Sequence, residues 1–175
     1  SDGYVSGAQI YVDANGNHVA DPDEALVGVV TDEGGNFFLP ANAPAGTIIA
    51  VGGFNIDTGL ANNVPMSAPA GSAMVTPLTT LVQGYIDAAP GVAVEDAIAA
   101  VVSAFGLPAG TDLMWFDPIA VLTADPTNAD AMMVQRAAVQ VATVLGGAAE
   151  APAEGMAATD AVARSEEHTS ELQSH

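Results

Sequence analysis

Asp13 to Glu24 reads DANGNHVADPDE, and its oxygen-bearing side chains share one register. Counted from Asp13, positions 1, 3, 5 and 9 are Asp13, Asn15, Asn17 and Asp21, and position 12 is Glu24. Alternate residues of a tight loop point inward together, and a closing glutamate offers both of its oxygens. A hard cation that takes six to eight oxygens suits such a set, with the backbone carbonyl of Val19 at position 7 as a further donor. The chemistry this spacing points to is a Ca²⁺ site made by Asp13, Asn15, Asn17, Val19, Asp21 and Glu24. The other reading of the same residues is a polar turn closed by Asn and Asp side chains bonding to the backbone. Position 6, normally glycine, is His18. That position needs a left-handed backbone, and His is one of the few side chains enriched there. His18 is not expected to ligate a transition metal, because the chain has no Cys and its other histidines, His168 and His175, lie near the C-terminus.

No catalytic constellation is expected, and the chain is read as a non-enzyme. It lacks a G-x-S-x-G elbow and any thiol, and His18 has no neighbouring nucleophile in sequence. Asp21, Asp23, Glu24, Asp32 and Glu33 could in principle pair as the carboxylates of a glycosidase, but they suit a calcium loop better. Trp115-Phe116 and Met132-Met133 read as core filling.

The chain has 175 residues, 21 acids against 2 bases, and a formal charge of −19. Half of it is hydrophobic and the mean hydropathy is +0.34, which fits a folded chain with an acidic surface rather than a disordered tail. There is no Lys, so nucleic acid and anionic membranes are not expected partners. No apolar run reaches the roughly 18 residues that would insert in a bilayer. Arg164 to His175, RSEEHTSELQSH, resembles the translation of a sequencing adapter and is set aside as an artefactual tail. Without its three Glu and one Arg, 18 acids and one base remain, a charge of −17. The absence of an initiating Met suggests a piece of a longer protein.

The elements that must position the loop follow from periodicity. Tyr4–Val12, Ala25–Thr31 and Thr47–Val51 read as strands, with weaker ones at Val64–Ser67 and Ser72–Val75. Asp32-Glu33-Gly34-Gly35-Asn36 reads as a hairpin turn into Phe37-Phe38-Leu39. At Thr76-Pro77 the period changes to helical, with Leu78, Leu81, Val82, Tyr85 and Ile86 on one stripe. Further helices are expected over 94–105, from Asp117-Pro118, and from Asp125-Pro126 to Gly146-Gly147. The last is apolar on two sides and is expected to be the most buried. The fold class is thus α+β: a small antiparallel β-sandwich over residues 1–75, a helical bundle over 76–147, and a linker over 148–163.

The segment Gly3 to about Gly53 resembles the collagen-adhesin B-type and serine-aspartate-repeat B-type modules of bacterial surface proteins. The matching residues are Asp13, Asn15, Asn17, Asp21 and Glu24, then Thr31, Asp32, Gly35 and Phe37. Val75-Thr76-Pro77-Leu78-Thr79-Thr80-Leu81 resembles segments that follow such modules in giant RTX and cadherin-like proteins. The resemblance implies a prealbumin-like sandwich stiffened by calcium, in an extracellular or cell-surface protein. It implies adhesion or spacing as the role, with neighbouring modules of the same chain and a protein or glycan surface as partners. The isopeptide crosslink of some such modules needs a Lys and is excluded. Two other readings stay open: an accessory carbohydrate- or peptide-binding domain of a secreted hydrolase, and a salt-adapted acidic protein with no ion site.

Overall fold

A computed structural model describes residues 3–150, with side chains as far as residue 148. The adapter-like tail and most of the expected linker lie outside the described residues. The architecture is α+β, with two antiparallel sheets followed by four helices. The larger sheet has the order β3-β2-β4-β6, from β2 (Gln9–Asp13), β3 (Ala25–Val30), β4 (Thr47–Val51) and β6 (Met66–Ala68). The smaller pairs β1 (Val5–Ser6) with β5 (Phe54–Asn55). Alternation along β2 buries Ile10 and Val12, which join Ala8, Ile48 and Ala50 beneath the sheet. Ala8, Ile10, Ile48 and Ala50 form one hydrophobic cluster, with Val5, Leu26, Phe37 and Val75 packed against it.

One edge of the larger sheet is finished by side chains, and the other is bent. At the β6 edge, Ser67 N donates to Thr80 Oγ1 at 3.0 Å. Its carbonyl accepts from Thr79 Oγ1 at 2.9 Å and Thr80 Oγ1 at 3.2 Å. At the other edge the register slips between Gln9↔Val30 and Tyr11↔Ala25, so β3 bows outward. The Gln9 amide fills the bow, donating to the carbonyls of Leu26 and Val29 at 2.9 and 3.1 Å. Gly28 turns the bow with φ 79°, which its missing Cβ permits.

The helices are α1 (Pro77–Ala88), α2 (Val94–Ala104), α3 (Pro118–Ala124) and α4 (Ala129–Glu150). Thr76 caps α1 as expected: its hydroxyl accepts from Thr79 N at 3.1 Å, and Thr79 Oγ1 accepts from Thr76 N at 2.8 Å. Asp117 caps α3, accepting from Ile119 N and Ala120 N at 3.0 Å each. A second hydrophobic cluster joins Leu78 and Val82 of α1, Val101 of α2, Leu113, and Val134 and Val141 of α4. No helix among the described residues is long and apolar enough to cross a membrane.

Several local expectations are corrected. Phe37-Phe38-Leu39 follows a real turn, with Asp32 N donating to Asn36 O at 2.9 Å, but forms no strand. Phe37 packs on the core while Phe38 is 85% exposed. Ser72–Val75 is also irregular, because the amides of Ala73 and Met74 both donate to Met114 O rather than to a ladder. Phe54–Asn55 forms a short strand that the sequence pattern does not mark. α4 starts at Ala129 instead of after Asp125-Pro126: the Asp125 carboxylate accepts from Thr127 N and Oγ1, and that turn delays the helix. Those bonds, the Thr127 hydroxyl foremost, hold the Asp125 carboxyl below its ordinary range. Nor does α4 stop at Gly146-Gly147, since helix-interior glycine costs only about 1 kcal/mol. It buries one stripe (Ala131, Val134, Ala137, Val141) and leaves Met132, Met133 and Val144 exposed, so it is not buried on two sides. Trp115, expected in the core, is 64% exposed, whereas Phe116 packs against the helical cluster.

The β and helical parts are joined by polar links. Besides the Ser67 contacts, the Tyr4 hydroxyl donates to Asp117 Oδ2 at 2.9 Å. Burial, then the hydrogen bond and charge of Asp117, push Tyr4 up to about 12. The folded state therefore holds this proton more tightly than the unfolded chain, where tyrosine ionises near about 10. The contribution to stability is complete below about pH 10 and is lost as pH rises through the folded value. Ultraviolet titration of parent minus Tyr4→Phe is expected to show one ionisation near 12. A difference curve centred at the ordinary tyrosine value contradicts the contact.

Candidate metal centre

The loop from Asp13 to Glu24 leaves the end of β2 and returns into β3. Asp13 is its anchor and is 3% exposed. Asp13 Oδ1 accepts from Gly16 N at 2.7 Å and Asn17 N at 3.3 Å, and Oδ2 accepts from His18 N at 2.8 Å. Two asparagine turns build the inner wall: Asn17 N donates to Asn15 Oδ1 at 2.9 Å, and Val19 N to Asn17 Oδ1 at 2.8 Å. The chain can coil this tightly because two of its residues are left-handed, Gly16 at φ 76° and His18 at φ 62°. His18 alone among the described non-glycine residues takes a positive φ, the conformation expected at position 6.

The remaining predicted side chains close the ring. Asn15 Nδ2 and Asn17 Nδ2 both donate to Asp21 Oδ2, at 3.1 and 2.8 Å. A short 3-10 turn over Pro22–Glu24 then swings Glu24 back beneath the start of the loop. There Glu24 Oε1 accepts from Ala14 N at 2.9 Å and Asn15 N at 3.2 Å. Asp13, Asn15, Asn17, Asp21 and Glu24 thus sit in one hydrogen-bonded loop, and the carbonyl of Val19 accepts from Asp21 N at 3.1 Å. One oxygen stands apart: Glu24 Oε2 is buried and has no hydrogen-bond partner among the described residues.

The three carboxylates do not converge on a point. The amide groups of Asn15 and Asn17 stand against Asp21, and among the described residues no three His, Cys, Asp or Glu groups gather to hold a metal by themselves. The donor set still fits a hard cation, which accepts neutral oxygens as readily as charged ones. Asn15 Oδ1 and Asn17 Oδ1 each use one lone pair on a backbone N–H and keep a second. The orphaned Glu24 Oε2 is the clearest fit, because a buried carboxylate oxygen without a partner costs free energy that a cation would offset.

Residue spacing carries no sign of what lies beside the loop. His18 Nδ1 is 3.4 Å from Asp87 Oδ2 near the end of α1, and 3.9 Å from Asp13 Oδ2. Gln83 Nε2 donates to Asp87 Oδ1 at 2.6 Å and holds it in place. Asp87 lies 69 positions beyond His18, and the packing of α1 against β6 brings them together. The other residues of the N-terminal resemblance have structural work. Thr31 is buried, its hydroxyl donating to Val5 O at 2.6 Å and accepting from Ala8 N at 2.9 Å. Asp32 accepts from Asn36 N and Gly34 N, which holds its carboxyl below the ordinary range. Gly35, at φ 72°, lies under the Tyr4 ring, where a Cβ would come within 3.0 Å.

No family model, curated protein or solved structure matches the chain.

Proposed function

We propose that this chain is a non-catalytic, calcium-stabilised module of a secreted or cell-surface bacterial protein, with a spacing or adhesive role. Glu24 Oε2 carries the reading: at position 12 of a twelve-residue oxygen-rich loop, it is buried and unpartnered. Asp13, Asn15, Asn17, Asp21, Glu24 and the Val19 carbonyl would hold the ion. Bound Ca²⁺ supplies two positive charges that tie the loop's start to its end. The loop holds four acids, Asp13, Asp21, Asp23 and Glu24, and a divalent ion lowers their mutual repulsion. Placement outside the cell rests on the resemblance of Gly3–Gly53 to surface modules and on an acidic, Lys-free composition.

Extracellular modules bind Ca²⁺ at about 10⁻⁴–10⁻³ M. At millimolar calcium the linkage is about 1 kcal/mol, which for a chain of this size is a shift of about 2–4 °C in melting temperature. Chelation with EDTA is expected to lower the melt by that amount, calcium to restore it, and Glu24→Gln to erase the difference. Superimposable melts of the parent chain in EDTA and in calcium overturn the proposal.

One observation favours the accessory-domain reading, the 64% exposure of Trp115, a ring free to stack on a sugar. A glycan array separates the two. A spacer retains nothing on it, and retention that Trp115→Ala abolishes selects the carbohydrate-binding role.

A further inference from the structure

The two hydrophobic clusters do not close on each other. Between them lies a cavity of about 130 Å³, walled by Phe37 and Ala50 on the sheet side, Leu78 and Val134 on the helical side, and Met66 and Met74 at the seam. Six polar side chains line it, those of Tyr4, Thr31, Asn62, Thr76, Asp117 and Gln135, and each already has a partner. The Thr31 hydroxyl is spent on Val5 O and Ala8 N, and the Tyr4 hydroxyl on Asp117. The Asn62 amide donates to the carbonyls of Gly52 and Val64, at 3.1 Å each.

That inventory selects the guest. A polar molecule would leave its water behind and find these groups engaged. An anion would also meet the Asp117 carboxylate at the wall. An uncharged apolar molecule loses nothing on entry. Apolar cavities of about this size accept benzene, and this one, though partly open to solvent, is walled mainly by apolar groups. Met66 and Met74 are unbranched and flexible, and can repack around a ring. We propose that the cavity is a binding site for one small uncharged apolar molecule, the size of a single aromatic ring or a short hydrocarbon. Both halves of the chain supply its wall, so a guest fastens one to the other. None of its lining residues belongs to the loop of residues 13–24, and the site is independent of calcium.

Benzene is the probe, added to the full 175-residue chain carrying methyl-labelled methionine. The Met66 and Met74 methyl resonances, assigned through Met66→Leu and Met74→Leu, are expected to shift saturably, and the melting temperature to rise. Benzoate, a charged ring of similar size, is expected to shift neither. Ala138→Leu fills the cavity from the helical side and Ala50→Val from the sheet side. Each, once shown folded by circular dichroism, is expected to weaken benzene binding at least tenfold. Unmoved Met66 and Met74 resonances in the parent overturn the proposal. So does an equal response to benzoate, or undiminished binding in both filled variants.

Discussion

Asp13→Ala is expected to lower stability by about 3 kcal/mol and to remove any response of the melt to calcium. The side chain of Asp13 is 1% exposed and takes three backbone N–H groups, those of Gly16, Asn17 and His18. Hydrogen bonds to a charged acceptor contribute about 1.5–3 kcal/mol each, which would sum to more than the expected loss. The sum is tempered because Gly16, Asn17 and His18 are exposed, so water reaches their amides once the carboxylate is gone. What water cannot replace is the convergence of the three amides, which fixes the left-handed backbone of His18. Asp13→Asn should be milder, at about 1–2 kcal/mol, because its remaining carbonyl still accepts from Gly16 and Asn17. Urea unfolding of the three proteins with an unchanged denaturant slope makes the comparison. A loss under about 1 kcal/mol for Asp13→Ala would show that the loop closes without its anchor.

Leu78→Ala is expected to cost more, about 5 kcal/mol, the upper end of what leucine truncation does in protein cores. Leu78 is 2% exposed and lies between the helical cluster and the 130 Å³ cavity. The cost of such truncations grows with the void left after the surroundings relax, by about 24 cal/mol per Å³. Here the surroundings have already failed to close one void, so the space vacated by Leu78 adds to it instead of collapsing. Val144→Ala on the exposed face of α4 should change stability by less than about 0.5 kcal/mol. Adding Ala138→Leu to Leu78→Ala refills the space from α4 and should recover part of the loss. A cost below about 2 kcal/mol for Leu78→Ala alone would mean that sheet and bundle can close on each other.

Legibility followed the range of the forces. The caps at Thr76 and Asp117 and the alternation along β2 are set by residues a few positions apart, and each was readable. The loop was readable for the same reason, since its hydrogen bonds all fall between Asp13 and Glu24. The seat of His18 against Asp87 was not, because it depends on how α1 packs. Phe37–Leu39 has strand composition but pairs with no strand, and composition does not report pairing. Composition does not mark the face that α4 buries, because Met132 and Met133 are as apolar as Val134, and only the position of the other helices selects among them.

The two edges of the larger sheet bear on how such chains survive as neighbours. Similar units strung along one polypeptide meet at very high effective concentration, and exchange of strands between them is their characteristic misfolding. A strand from the next unit can add only where a sheet offers a free row of amides and carbonyls. Here Ser67 has given its amide and carbonyl to Thr79 and Thr80, and the opposite margin bows away from straightness around the Gln9 side chain. An incoming strand would find one side stoppered and the other bent out of register. Thr79 and Thr80 thus stopper one margin of the sheet and the bow around Gln9 bends the other, which would hinder strand exchange wherever units of this kind stand side by side.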